Sequence, residues 1–158
     1  MVIGFEDIGE VRDRHLNQRI VMALGSFDII HIGHIGYLEW AKRQGDVLVV
    51  TMKSDEQIAA HKGDSRPLIK SDERVRVVDS LKPVDYALVG AQGGLYDAAL
   101  ATAEALRPDI IVLGPDWGPE VMHKWRKDLP SCDILVAPRQ SERSSSEIID
   151  RHNSYKAN

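Results

Sequence analysis

The feature that most constrains the fold is a regular alternation of short apolar runs with segments that have a helical apolar pattern. Each run is too short for a helix, rich in β-branched residues and bounded by Gly, Pro, Asp or Lys, which predicts a buried strand. The five predicted strands span residues 19–24, 46–52, 84–90, 109–114 and 133–138.

The segments between these runs carry apolar residues on one helical stripe, as in Ile35, Leu38 and Ala41. Helices are predicted at 34–44, from Asp55, and at 71–82, 96–107, 120–129 and 144–152. Apolar strands alternating with helices favour a parallel sheet that is covered on both faces. We therefore expect an α/β fold, a doubly wound, Rossmann-like sheet of about five parallel strands with helices on both faces.

Length and charge limit the classes of protein that fit. The 158 residues predict a single domain, 1–158, on which residues 1–18 pack as an N-terminal extension. A net charge of −4 argues against a nucleic-acid binder that uses a broad basic face. The single cysteine, Cys132, cannot form an internal disulfide, which favours a reducing, cytoplasmic location. No apolar run approaches the ~20 residues of a membrane span, and the N-terminus does not resemble a leader.

The connection after the first predicted strand has the composition of an anion site. It reads "GSFDIIHIGH" from Gly25 to His34, and it places His31 and His34 at the first turn of a helix. The first turn offers unpaired N–H groups and a partial positive charge. Gly33 leaves room for a ligand against the main chain, and Gly25 permits a tight exit from the strand. Two imidazoles at this position can donate hydrogen bonds to phosphate oxygens.

This stretch resembles the G-x-F-D-x-x-H-x-G-H signature of the cytidylyltransferase-like nucleotidyltransferases. Residues 62–67 ("KGDSRP") and 71–88 are similar to the heptose-1-phosphate adenylyltransferase branch. Residues 114–117 ("GPDW") and 137–149 are more similar to the glycerol-3-phosphate cytidylyltransferase branch. Residues 106–116 ("LRPDIIVLGPD") are also similar to archaeal FAD synthases.

The resemblance implies an enzyme that transfers a nucleotidyl group from ATP or CTP to a phosphorylated small molecule and releases pyrophosphate. The acceptor would be a sugar 1-phosphate or a polyol phosphate such as glycerol 3-phosphate. Mg²⁺, or another divalent cation, would be carried by the phosphates, with no metal ligand from the protein. A homodimer is also implied, with neither nucleic acid nor membrane as partner.

The resemblance also assigns roles to individual residues. His31 and His34 would contact the phosphates, Lys62 would close over the α-phosphate and the acceptor, and Arg74 would hold phosphate. Serines 144–146 would offer hydroxyls and a helix N-terminus to the β- and γ-phosphates. The nucleotide-binding residues implied in this way are Gly25, Ser26, Phe27, Gly33, Asp116, Trp117, Arg139, Ser144, Ser145 and Ser146.

Two departures from the family pattern leave alternatives open. Pro115 stands where the cytidylyltransferases have the first Asp of G-D-D-W, and residues 140–143 ("QSER") share nothing with their T-E-G-I. The alternatives are an FMN adenylyltransferase of the same fold and a nucleotide-binding regulatory protein without turnover. A zinc site at the H-x-x-H spacing needs two further ligands.

Several of these residues also have structural interpretations. Lys62 and Arg66 could be solvated loop charges, and Arg74 could pair with a neighbouring acid. Asp28 is expected to accept backbone hydrogen bonds rather than to touch a ligand. Ser144 with Glu147 forms a capping box whose N–H groups can also bind phosphate.

Overall fold

A five-stranded parallel sheet organises the chain in the computed structural model, which describes residues 1–139, 141, 147–149 and 151–152. The strand order is β3-β2-β1-β4-β5, and every pairing is parallel. The strands are β1 Ile20–Gly25, β2 Val47–Met52, β3 Tyr86–Val89, β4 Ile110–Leu113 and β5 Asp133–Val136. The doubly wound α/β fold expected from the sequence is confirmed.

Helices cover both faces of this sheet. They are a 3₁₀ turn at Phe5–Asp7 and the α-helices α1 Ile8–Arg14, α2 Ile32–Lys42, α3 Asp55–Lys62, α4 Ser71–Asp79, α5 Leu95–Leu106 and α6 Pro119–Asp128. Residues 147–149 and 151–152 are also helical. Among the described residues, no helix has the length and apolar character required to span a bilayer.

Successive residues of a strand point to opposite faces, and this divides the core in two. Val21 and Ala23 of β1 pack with side chains of α2 and α4. Ile20 and Met22 pack with side chains of α1, α5 and α6, including the fully buried Trp125. Strands buried on both faces need apolar side chains at every position, which is why they read as continuous apolar runs.

The strand order reverses between β1 and β4. The chain passes from β1 to β2 and β3, and then crosses to the other side of β1 to form β4 and β5. Such a reversal opens a crevice at the carboxyl ends of the two central strands. The connections after β1 and β4 therefore border the place where a ligand is expected.

The N-terminal segment contains a helix that the sequence reading did not predict. Ile8 and Val11 of α1 are buried, and α1 packs against α5. Before it, Val2 forms a parallel bridge with Ala87 of β3. This segment covers the outer edge of β3, where an unpaired strand would otherwise be exposed.

Most element boundaries differ from the sequence prediction by one to three residues. Strand β3 is shorter than 84–90. Just before it, the Asp85 side chain accepts a hydrogen bond from Leu48 N at 2.6 Å and pairs with Lys42. The N-cap of α4 is Lys70 rather than Ser71.

Candidate active site

The β1–α2 connection holds its two histidines side by side at the start of α2. His31 is the N-cap residue, and its carbonyl accepts hydrogen bonds from His34 N at 2.9 Å and from Ile35 N at 3.2 Å. The two imidazole rings have centroids 3.8 Å apart and planes 32° apart. The His31 side chain does not cap the helix. The paired rings therefore lie beside a helix N-terminus that can still receive an anion.

Burial disfavours a positive charge on both rings, and neighbouring charged groups add to this at His34. Desolvation, His31 and Lys62 together lower the pKa of His34 to about 4, against the opposing effect of a backbone hydrogen bond with Ile29. Burial also lowers the pKa of His31. The Nδ1 atoms of both rings are buried and have no hydrogen-bond partner among the described residues. The negative charge of a phosphate beside the rings would favour their protonation.

Gly33 allows close approach at this helix end. A Cβ atom there would lie 3.0 Å from His31 Nδ1 and 3.3 Å from Ser141 Cβ. The segment after β5 therefore returns to the start of α2.

Gly25 and Phe27 pack against each other at the edge of the hydrophobic core. A Cβ atom on Gly25 would lie 2.5 Å from the Phe27 ring. Phe27 is buried at φ 48°, and its ring packs under His34 at 5.1 Å. The Phe27 ring is therefore enclosed by the core, and the nucleotide-binding role implied for this residue stays a prediction.

Asp28 ties the loop after α3 to the β1–α2 connection. Its Oδ1 accepts hydrogen bonds from Leu68 N at 2.8 Å and from Ile69 N at 3.0 Å, and its Oδ2 accepts one from Arg66 Nε at 2.6 Å. The carboxylate therefore has the structural role expected of it, with backbone partners that come from a distant loop. Arg66 is used in the same contact and is mostly buried, so it is not a solvated loop charge.

Lys62 is near enough to the histidine pair for its charge to act on His34, while its implied closure over the α-phosphate stays a prediction. It is the last residue of α3, and its positive charge contributes to the lowered pKa of His34. Burial and Arg66 lower the pKa of Lys62 itself, whereas Asp28 raises it. An anion that reached the histidines would also meet this ammonium group.

Arg74 donates to backbone carbonyls and to a neighbouring acid, which is the structural role that the sequence also allowed. Its side chain is fully buried and donates to the carbonyls of Ser26 at 2.5 Å, Lys53 at 3.0 Å and Ile69 at 2.9 Å, and to Asp55 at 2.8 Å. The guanidinium is therefore enclosed by protein acceptors and joins three loops behind the site.

The residues expected near the nucleoside separate into two groups. Asp116, after β4, accepts a hydrogen bond from Arg139, after β5, at 2.6 Å, and both side chains remain partly exposed at the crevice. Trp117 instead lines a cavity at the ends of β1, β2 and β3. Ser144, Ser145 and Ser146 lie outside the described residues.

Sequence reasoning missed Lys53, which follows β2 at the same edge of the sheet. It also lines the cavity, and burial and Lys62 lower its pKa. The sequence could have indicated this residue, because a lysine directly after a buried parallel strand must lie at the carboxyl edge of the sheet, where ligands bind.

No metal centre is formed by the described side chains. No group of three or more His, Cys, Asp or Glu residues in the described part of the chain is arranged to hold a metal ion.

Comparison with known proteins identifies the family. The cytidylyltransferase-like family pattern matches residues 22–154. This chain belongs to that family. The match begins within β1 and covers the other four strands, the histidine pair and Lys62.

Relatives include the bifunctional protein HldE of several bacteria. The protein from Syntrophotalea carbinolica is 40% identical over 149 residues, which are 94% of this chain and 29% of that protein. The protein from Helicobacter pylori strain J99 is 40% identical over 116 residues, which are 73% of this chain and 24% of that protein. The chain thus spans less than a third of the length of these relatives.

Solved structures agree with the fold. A lipopolysaccharide core biosynthesis protein from Thermoplasma volcanium matches with a TM-score of 0.68 and 31% identity, over 79% of this chain and 100% of that chain. Pantoate-beta-alanine ligase from Francisella tularensis matches with a TM-score of 0.68 and 16% identity, over 99% of this chain and 78% of that chain. The second likeness concerns the fold alone.

Proposed function

We infer that this protein transfers a nucleotidyl group from a nucleoside triphosphate to a sugar phosphate and releases pyrophosphate. The observation that carries this proposal is the adjacent pair His31 and His34 at the N-terminus of α2, with Lys62 near enough for its charge to act on His34. The names of its relatives, HldE and a lipopolysaccharide core biosynthesis protein, support a carbohydrate acceptor. The resemblance of residues 62–67 and 71–88 to heptose-1-phosphate adenylyltransferases favours ATP and a sugar 1-phosphate.

The reaction joins two anions, so the protein must supply positive charge and hydrogen-bond donors. An oxygen of the acceptor phosphate attacks the α-phosphorus, the bond from that phosphorus to the bridging oxygen breaks, and pyrophosphate departs. Repulsion between the reactants opposes this approach by several kcal/mol even at an effective dielectric constant near ~20. Lys62, the α2 N-terminus and the two imidazoles would offset this repulsion and stabilise the charge of the transition state.

A divalent cation would be held by the phosphates of the nucleotide. The described side chains form no carboxylate cluster for it, and the nearby Asp28 is occupied by Arg66 and two backbone amides. Mg²⁺ bound to a triphosphate neutralises the charge on the departing pyrophosphate.

The decisive assay is a matrix of the four nucleoside triphosphates against phosphorylated acceptors, with detection of pyrophosphate. Heptose 1-phosphate, glycerol 3-phosphate and FMN represent the three acceptor classes. We expect product with ATP and the sugar 1-phosphate. Product with CTP and glycerol 3-phosphate, or with ATP and FMN, would assign the chain to one of the other branches.

A second candidate is a nucleotide-binding regulatory protein, which the departures at Pro115 and residues 140–143 favour. Calorimetry separates the two. Tight nucleotide binding with background pyrophosphate release for every pair in the matrix would contradict the enzymatic proposal and support the regulatory one.

A further inference from the structure

One buried carboxylate holds the loop between α3 and α4 against the connection that carries the histidine pair. The Asp28 side chain is fully buried, and its Oδ2 accepts a hydrogen bond from Arg66 Nε at 2.6 Å within an ion pair. Its Oδ1 accepts from Leu68 N at 2.8 Å and from Ile69 N at 3.0 Å. Hydrogen bonds to an ionised acceptor are about twice as strong as neutral ones. The loop is therefore anchored at a point three residues before His31.

A short turn connects this anchor to Lys62. Helix α3 ends at Lys62, and Gly63 follows with a φ of 91°, which glycine adopts without strain. Gly63 N donates to the carbonyl of Ala59 at 2.8 Å, and Arg66 N donates to the carbonyl of Gly63 at 3.0 Å. Backbone hydrogen bonds thus hold the segment from Lys62 to Arg66 at the helix end, and Asp28 holds it at the other end.

Arg74 secures the same loop from the side of α4. Both backbone groups of Ile69 are used, because its N–H donates to Asp28 and its carbonyl accepts from Arg74 Nε at 2.9 Å. Arg74 Nη1 also donates to the carbonyl of Ser26, two residues before Asp28. Mobile loops leave most of their backbone groups to water. This loop instead has buried partners, so we expect it to be ordered without a ligand.

The charges of the anchor act on Lys62 in opposite directions. Asp28 raises the pKa of Lys62, whereas Arg66 lowers it. Both groups are therefore close enough to influence the ammonium group, in agreement with the short turn that joins them. Without the carboxylate, the buried Arg66 charge would repel the ammonium group and leave its own site.

We propose that Asp28 and Arg66 are positioning residues for nucleotidyl transfer, which hold the backbone at Lys62 beside the histidine connection before any nucleotide binds. Only the lysine side chain then has to move to reach the α-phosphate. Neither Asp28 nor Arg66 has to touch the substrate, since each is engaged by the other. A cation that is already in place needs little reorganisation during the reaction. The effect on rate rests on the proposed function, whereas the anchoring of the loop does not.

The first test measures amide exchange by NMR in the wild-type protein without nucleotide. The N–H groups of Leu68 and Ile69 should exchange at least ~100-fold more slowly than those of Asp64 and Ser65, after correction for intrinsic rates. The amides of Asp64 and Ser65 have no acceptor among the described residues, so the loop provides its own reference. Comparable rates at all four positions overturn the proposal. Slow exchange in a protein without transferase activity would support the anchor and refute the proposed function.

The second test is a double-mutant cycle on the rate of transfer. Asp28→Asn keeps an oxygen for the two loop amides but leaves the Arg66 charge without its partner, so the anchor weakens near Lys62. We expect kcat to fall about tenfold or more and the KM for ATP to stay within about threefold. In the Lys62→Met background the same change should lower kcat by less than about twofold, because Asp28 acts through Lys62. An unchanged kcat for Asp28→Asn, or equal losses in both backgrounds, overturns the proposal.

Asp109→Asn is the matched control. Asp109 Oδ2 likewise accepts from an arginine, Arg12 at 2.8 Å, and from a backbone amide, Ile20 N at 2.7 Å. It directly precedes β4 and so lies at the amino edge of the sheet, opposite the histidines. Its kcat should stay within about twofold of the wild type, and a loss equal to that of Asp28→Asn would contradict the positioning role. Arg66→Gln breaks the same ion pair and carries the same expectations if Asp28→Asn does not fold.

Discussion

The imidazole of His34 lies between a buried phenylalanine ring, a second imidazole and a lysine ammonium group. Burial, the second imidazole and the lysine disfavour a positive charge on the ring, and its pKa falls to about 4. At neutral pH the ring is therefore a hydrogen-bond donor without charge. Anionic substrate reverses this balance, so the ring can gain positive character as negative charge develops on the phosphate.

Replacement of this ring should affect chemistry more than folding. We expect His34→Ala to lower the turnover rate by at least ~100-fold, the size associated with loss of one preorganised donor. Pyrophosphate release measures the rate, and circular dichroism confirms that the variant is folded. Unchanged turnover would show that His34 is not catalytic.

The buried neutral state also predicts a dependence of stability on pH. Between pH 6.5 and about 4 the unfolded chain binds a proton at His34 that the folded chain does not, so stability falls as the pH is lowered through this window. This difference in pKa corresponds to a loss of roughly 3 kcal/mol in the free energy of unfolding once the pH has fallen to about 4. Urea unfolding at pH 7.5 and pH 4 should show a smaller loss for His34→Gln than for the wild type. Equal losses would mean that the ring is not held neutral by the fold.

At the scale of elements, one arginine aligns the connections that form the site. Arg74 of α4 binds the carbonyl of Ser26 after β1, that of Lys53 after β2 and that of Ile69 before α4. These three segments carry or adjoin the histidine pair, Lys53 and the loop that follows Lys62. Because the guanidinium donates in a fixed fork, it sets their relative positions as well as their stability.

Arg74→Lys should therefore destabilise the fold without a direct loss of phosphate contact. We expect the free energy of unfolding to fall by roughly 2–4 kcal/mol, since lysine leaves several buried acceptors unpaired. Arg76→Lys, on the exposed side of the same helix, should be nearly neutral. Calorimetry with ATP at a temperature where the variant is folded should give a dissociation constant within about threefold of the wild type. A loss beyond tenfold would restore Arg74 as a phosphate ligand.

At the scale of the whole molecule, a chain with a net charge of −4 concentrates cations at one edge of its sheet. Lys53 and Lys62 lie there near the two histidines, which carry little charge at neutral pH, while Asp28 is neutralised by Arg66. Charges near the surface act over about a Debye length, so the attraction of an anion to this edge depends on the local cations more than on the net charge of the protein. The acidic total therefore remains compatible with a triphosphate ligand.

Nucleotide binding should be visible as a gain in the stability of the whole fold. At a concentration near ~100 times its dissociation constant, a ligand that binds only the folded state stabilises it by about 2.7 kcal/mol. For a chain of this size that raises Tm by roughly 5–10 °C. We expect this shift with ATP in a thermal melt, and a smaller one with CTP, GTP and UTP at the same concentration. Equal shifts with all four would show that the site does not discriminate the base.

The sequence by itself determined the elements and the centre of the site. Strands buried on both faces must be apolar throughout, so the sequence of each strand alone was enough to predict it. The position of His31 and His34 between such a strand and a helical pattern placed them at a helix N-terminus. Only the tertiary structure decided what becomes of cations such as Arg74 and Lys53. Their roles depend on which carbonyls and carboxylates distant segments bring to them. Arg74 is enclosed by three loops that are far apart in the chain, whereas Lys53 faces a cavity whose walls come from β1, β2, β3 and α5. Local sequence patterns predict which positions are buried, but they do not predict which polar side chains and backbone groups come into contact in the folded chain.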